Sequence, residues 1–256
     1  MNQTLERLSD IEKNGYQIDF ANVFNHAFEN YKKIALYAGL VIFICSVLFV
    51  VFIGASLTSL IGVSALSKEL SPETFKIENL TESNILALGG VSLVISCLFS
   101  PFQAAFLKMA HCGDRDEAFH ISDLFSYYKL PYLKEIIVST LLITTISLTQ
   151  ATLLSYVHFE FLGSIITYFI SFITILTVPL IIFGNLNALE AIKYSILIVF
   201  KQPVVLLGLI VVAIIGSLVG FVGCCIGIFF TLPFLYSMNY AIYFNIVGID
   251  SPQEIE

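Results

Sequence analysis

The chain has 256 residues, of which 57% are hydrophobic and only 12% charged, and its formal net charge is −7. Ordinary soluble domains carry about 25% charged residues, so a globular, water-soluble reading of most segments is excluded, as the mean hydropathy of +0.90 also requires. The acidic residues sit in short polar stretches rather than in one patch, and no basic patch supports nucleic-acid binding.

Taken in order, residues 1–17 are polar and read as a loosely structured tail. They and the residues up to Lys33 include Asp10, Glu12, Asp19 and Glu29, which argues against a cleavable signal peptide. From Asp19 the pattern changes. Phe20, Val23, Phe24, Ala27, Phe28 and Tyr31 recur at helical spacing, predicting an amphipathic helix in the membrane interface, capped by Asp19 and closed by Lys32 and Lys33.

Charge-free segments then mark the membrane spans: 34–67, 83–107, 136–159, 161–189 and 202–249. A span needs about 20 residues. The first four segments are read as one helix each. Segment 202–249 holds two, folded back near Gly220, Gly223, Cys224, Cys225 and Gly227, where small residues allow a tight turn. The expectation is an all-α, polytopic bundle of six transmembrane helices in three hairpins, a single integral domain over 18–249 with a C-terminal tail at 250–256.

Basic residues set the orientation. Arg7, Lys13, Lys32, Lys33, Lys108, Arg115, Lys129, Lys134, Lys193 and Lys201 fall on one side, and only Lys68 and Lys76 on the other. Both termini are therefore predicted to be cytoplasmic. Tyrosines at 31, 127, 128, 132 and 194 gather on that same side as interfacial anchors in a chain without tryptophan.

The cytoplasmic pieces repeat. FANVFNHAFENYKK, ISDLFSYYKLPYLKE and ALEAIKYSILIVFKQ each read as a short amphipathic helix that carries Tyr and a lysine near its end before an apolar span. The second span of each hairpin carries a proline, Pro101, Pro179 or Pro233, expected to kink it, followed six or seven residues later by Lys108, Asn185 or Asn239. This layout, with ALEAIKYS ahead of a glycine-rich final hairpin containing TLPF, resembles a family of bacterial six-span membrane proteins. That family includes the membrane domain attached to some glycerophosphoryl diester phosphodiesterases. The resemblance implies the six-span fold and an inner-membrane location, and it carries over no catalytic residue. No phosphodiesterase domain is evident in this chain, and Pro203 stands where the family commonly has an aromatic residue.

Candidate chemistry is sparse. His111, Cys112, Asp114 and His120 are all possible zinc ligands, but their spacing matches no familiar zinc pattern and the segment reads as an ordinary loop. Cys224 and Cys225 are explained by a tight turn, without a redox role. The five cysteines include no CxxC pair, so no disulfide framework is read. The pairs Gly216/Gly220 and Gly223/Gly227 have GxxxG spacing and are expected to serve packing inside the last hairpin. Gln103, Gln150 and Asn239 are the strongest polar groups within the spans, candidates either to line a pathway or to pack. No Asp, Glu, Lys or Arg lies mid-span, which weighs against a coupled pump. No nucleophile–base pair, phosphate loop or HExxH occurs, and no cofactor is implied.

The function expected is thus a non-catalytic membrane protein, a scaffold or accessory subunit of the bacterial cell envelope. Its partners would be membrane lipids and other envelope membrane proteins. A permease component for a small or amphipathic solute, with a mid-membrane cavity bordered by Gln103, Gln150 and Asn239, is the alternative. A lipid-modifying enzyme acting through Asp114, Asp116, Glu117 or His120 is a third.

Overall fold

The computed structural model describes residues 3–61, 82–222 and 226–249, all helical or in short connections, with no strand among them. Five helical runs are long and apolar enough to cross a membrane: Phe20–Phe52, Gly89–Asp114, Tyr132–Tyr156, Glu160–Ile182 and Pro203–Val222. The polar connection 68–81 and the Cys224–Cys225 pair lie outside the described residues.

The N-terminal residues are ordered as helix α1 (Gln3–Asn14), not a loose tail. Thr4, Leu8 and Ile11 fall on one face and are buried, while Gly15 at φ +75° takes the left-handed turn that ends the helix. The sparse apolar content hides this amphipathic stripe, because three buried residues per helix suffice when the partner surface is already apolar.

Helix α2 (Phe20–Ile61) is a second departure. The expected interfacial helix and first span are one uninterrupted helix, with Asp19 Oδ1 accepting from Asn22 N at 2.8 Å as its cap. Nothing breaks it: Tyr31-Lys32-Lys33-Ile34 contains neither glycine nor proline. The two other predicted interfacial pieces are separated from the helices that follow. The 3-10 helix Ile121–Tyr128 ends before Pro131, and α7 (Ala188–Lys201) ends at Gln202-Pro203.

Helix α3 (Glu82–Asp114) continues without a break past Pro101 and extends to Asp114, so His111, Cys112 and Asp114 are helical rather than in a loop. Helix α4 (Tyr132–Tyr156) is followed by α5 (Glu160–Ile173) and α6 (Thr177–Ile182), which are divided by a break at 174–176. After α7 come α8 (Pro203–Leu218), a 3-10 turn Val219–Val222, α9 (Gly227–Thr231) and α10 (Pro233–Ile246). A single-residue break at Leu232 divides α9 from α10, so neither piece alone reaches span length.

Burial is concentrated at one end of the bundle. On α2 the buried positions are Val23, Ala27, Asn30, Ile34, Ala38 and Val41, whereas Val47, Leu48, Val50, Val51 and Phe52 are exposed. On α3 the pattern is reversed in sequence and equal in space: Val91, Val94 and Leu98 are exposed, Ala104 to Ala110 largely buried. The end bearing the charged residues is therefore a packed base, with α10 at its centre through Met238, Tyr240, Ala241 and Tyr243. The other end presents apolar side chains outward, as helices in lipid do.

The base also holds α1. Arg7 Nη1 donates to the Val247 carbonyl at 3.1 Å, Tyr16 Oη to Ile198 O at 3.0 Å, and Gln202 Nε2 to Tyr16 O at 2.6 Å. Burial pushes the Tyr16 phenol well above its ordinary range.

Candidate functional site

Two sets of polar groups stand out, one at the packed base and one beside the prolines. The base set joins three helices. His26 Nε2 lies 2.8 Å from Asp114 Oδ1, Tyr240 Oη donates to Asp114 Oδ2 at 3.0 Å, and His111 Nδ1 lies 3.2 Å from Tyr240 Oη. Asn245 Nδ2 approaches His26 Nδ1 at 3.1 Å. Since the Tyr240 proton goes to the carboxylate and Asn245 offers N–H, hydrogen-bond bookkeeping assigns the His26 proton to Nε2 and the His111 proton to Nδ1. The chain of donation is then Asn245 to His26 to Asp114 from one side, and His111 to Tyr240 to Asp114 from the other.

One helical turn deeper, Asn30 Nδ2 donates to the Ala110 carbonyl at 2.6 Å and accepts through Oδ1 from Ser237 Oγ at 2.8 Å. The same three helices are thus clamped twice, at His26/Asp114/Tyr240 and at Asn30/Ala110/Ser237. Four-residue spacing on α2 and α3, and three-residue spacing on α10, aligns the two clamps. A polar cleft of about 430 Å³ lined by Gln17, Ile18, Asp19, Asn22 and Asn245 opens beside the outer clamp.

The four candidate zinc ligands do not converge. His111 and Asp114 join the network through Tyr240, while His120 precedes the 3-10 helix, where its backbone N–H donates to Asp123 Oδ2 at 2.9 Å. Among the described residues no three His, Cys, Asp or Glu side chains come together in a way that could hold a metal ion.

The proline set explains one of the three intramembrane polar groups, Asn239. A proline leaves the carbonyl four residues earlier without its helical donor, and in lipid that carbonyl must find another. For Pro101 the orphan is Cys97 O, and Ser100 Oγ donates to it at 3.0 Å, which lets α3 continue. For Pro179 the orphan is Ile175 O, and Asn239 Nδ2 reaches it from α10 at 3.2 Å. Within the break before Pro179, Ser195 Oγ donates to Ile173 O at 2.9 Å and accepts from Leu176 N at 3.1 Å. Beside Pro233, Tyr31 Oη donates to Phe230 O at 3.2 Å.

Gln150 works in another place: its Nε2 donates to Gly163 O at 3.1 Å and to Thr167 Oγ1 at 2.6 Å, tying α4 to α5. Gln103 is different again. It is exposed and lines a cleft of about 440 Å³ between α2, α3 and the α9–α10 junction. The three candidate pathway groups therefore meet three different sets of neighbours, and the cleft at Gln103 includes neither Gln150 nor Asn239.

In the last hairpin region the glycines pack backbone to backbone. A Cβ on Gly220 would stand 2.5 Å from the Gly227 carbonyl, and one on Gly216 would stand 2.8 Å from the Phe234 ring. Thr231 Oγ1 adds a hydrogen bond to Ser217 O at 2.5 Å. Gly216 and Gly220 thus act in packing within the chain, as their spacing suggests.

His26, Tyr240, Asn245, Asn30 and Ser237 were not singled out by the sequence. The available signal was polar residues three or four apart on otherwise apolar helices: His26 with Asn30, His111 with Asp114, and Ser237 with Tyr240. Compared with protein-family models, with curated proteins and with solved structures, the chain gives no match.

Proposed function

We propose that this chain is a multi-pass protein of the bacterial inner membrane that acts as a non-catalytic scaffold or accessory subunit of the cell envelope. In this reading the last two helical pieces, Gly227–Thr231 and Pro233–Ile246, form a sixth span, the six spans make three hairpins, and the packed base faces the cytoplasm with both termini. The likeness to the six-span bacterial family belongs to the same reading.

The observation that carries it is the assignment of the interior polar groups. Asn239, Ser195 and Tyr31 satisfy carbonyls at helix breaks, Ser100 does so beside Pro101 within the continuous α3, and His26, Asn30, Asp114 and Tyr240 clamp α2, α3 and α10. Groups engaged in this way hold helices in fixed relation, which suits a platform, and they leave Gln150 and Asn239 turned to neighbouring helices instead of a shared channel.

The test is in vivo crosslinking followed by isolation in a mild detergent. Recovery of a defined set of other envelope membrane proteins, lost when the base is disrupted by Asp114→Ala and Asn30→Leu together, supports the scaffold. Isolation of the chain alone after crosslinking overturns it. Accessibility of single cysteines introduced at Lys13 and Lys129 to a membrane-impermeant thiol reagent tests the orientation, since labelling in intact cells would invert it.

A further inference from the structure

We infer that the cleft around Gln103 is a binding site for one acyl chain of a membrane phospholipid, with the glutamine amide and the Ser46 hydroxyl engaging the lipid's ester oxygens. The cleft lies where the packed base gives way to the outward-facing half of the bundle. Its walls are α2, α3 and the broken α9–α10 junction, and its volume of about 440 Å³ is within the range of small-ligand sites.

Three features choose the occupant. The lining is aromatic, with Phe49, Phe99, Phe102 and Tyr236, and carries no charged side chain, so a neutral hydrocarbon portion is matched and an ionic group is not. A helix with its side chains is about 10 Å across and needs an open groove, whereas this space is a cleft walled on three sides; a flexible chain fits it. Finally, among the described residues neither Gln103 nor Ser46 makes a hydrogen bond, although both line the same cleft. An unpaired amide in hydrocarbon is costly, and the Asn239 amide and the Ser100, Ser195 and Tyr31 hydroxyls beside the prolines are all engaged. Lys108, five residues along α3 and about 7.5 Å of helical rise away, pairs with Asp123 at 3.7 Å. Gln103 therefore sits just inside the charged level, where ester groups of a phospholipid reside.

The experiment uses the full chain in lipid nanodiscs containing phosphatidylethanolamine with a diazirine on one acyl chain. After photolysis, adducts are mapped by peptide mass spectrometry. The expected result is concentration of adducts on 42–50 and 99–106 relative to the exposed α8 residues Val211, Ile214 and Ile215. Gln103→Leu should lower the yield at the cleft about fivefold, the loss that removing one hydrogen bond produces, with the yield on α8 unchanged. Ser46→Phe, which fills the cleft, should abolish the cleft signal. Gln103 supports no other residue, so its replacement leaves the bundle assembled. Adducts distributed in proportion to exposure, the signature of an annular lipid only, would overturn the inference, as would an undiminished cleft signal in Gln103→Leu.

Discussion

Asn239 and Pro179 are coupled through a group that belongs to neither: the Ile175 carbonyl, left without a helical donor by the proline, accepts the asparagine amide at 3.2 Å. The two residues lie in different helices, and each makes sense only in view of the other. The polar residue keeps the break in α5–α6 from exposing a bare carbonyl to lipid.

This coupling is measurable. Asn239→Leu should destabilise the protein by about 1 kcal/mol, the scale of interhelical hydrogen bonds in membranes. In a Pro179→Ala background the alanine N–H supplies the missing donor, and the same leucine substitution should cost distinctly less. Thermal unfolding in detergent across the four variants of a double-mutant cycle gives the interaction energy. Equal costs in both backgrounds would dissociate the two residues.

Asp114 anchors the outer clamp by accepting from His26 and Tyr240 at once. Asp114→Ala leaves both donors without the carboxylate, and a loss of about 2–3 kcal/mol is expected for hydrogen bonds to a charged group. Tyr240→Phe removes one arm alone and should cost about half as much. Melting temperatures of the two variants and of the wild type in one detergent check the order.

Gly220 and Gly227 touch through their backbones. Gly220→Val places a branched side chain where 2.5 Å is available, and overpacking of about 1–3 kcal/mol or more follows. Gly89, with open space around its Cβ position, is the contrasting site: Gly89→Ala should leave stability unchanged or slightly raise it through helix propensity. Detergent stability and monodispersity of the two variants distinguish them.

Alkaline pH should loosen α1. The half-buried Tyr16 phenol is held by desolvation above its unfolded value of about 10. Its neutral form is thus favoured by folding, a contribution fully present below pH of about 10 and lost as pH rises from there toward the folded-state value. Tyr16→Phe loses the bond to Ile198 O but also this dependence. Protease protection of α1 measured from pH 8 to 11 should therefore fall in the wild type and stay flatter in the variant.

The helical class and the apolar segments were legible because a membrane imposes composition on long stretches. The breaks at 174–176 and Leu232 were legible through Pro179 and Pro233. The continuity of α2 was not, since the switch from amphipathic to apolar at Lys33 resembles a boundary while the backbone meets no residue that stops it. Helix α1 was hidden because Leu8 and Ile11 are few and flanked by charge. The role of Asn239 became visible only with the Ile175 carbonyl beside it; spacing from Pro233 pointed to the wrong proline. Clamp partners such as His26 and Asp114 lie far apart along the chain, and no local pattern reports such a meeting.

Helix α2 deserves a mechanical view. At about 1.5 Å per residue, its 42 residues make an unbroken helix of about 63 Å, seated against α10 within the first third of its length through the ring contacts of Phe24, Phe28 and Tyr31 with Phe234. It is gripped again further along, by Phe43 against Phe229 and Phe49 against Phe99. One continuous member thus joins the clamps at His26 and Asn30 to the cleft at Ser46 and Phe49.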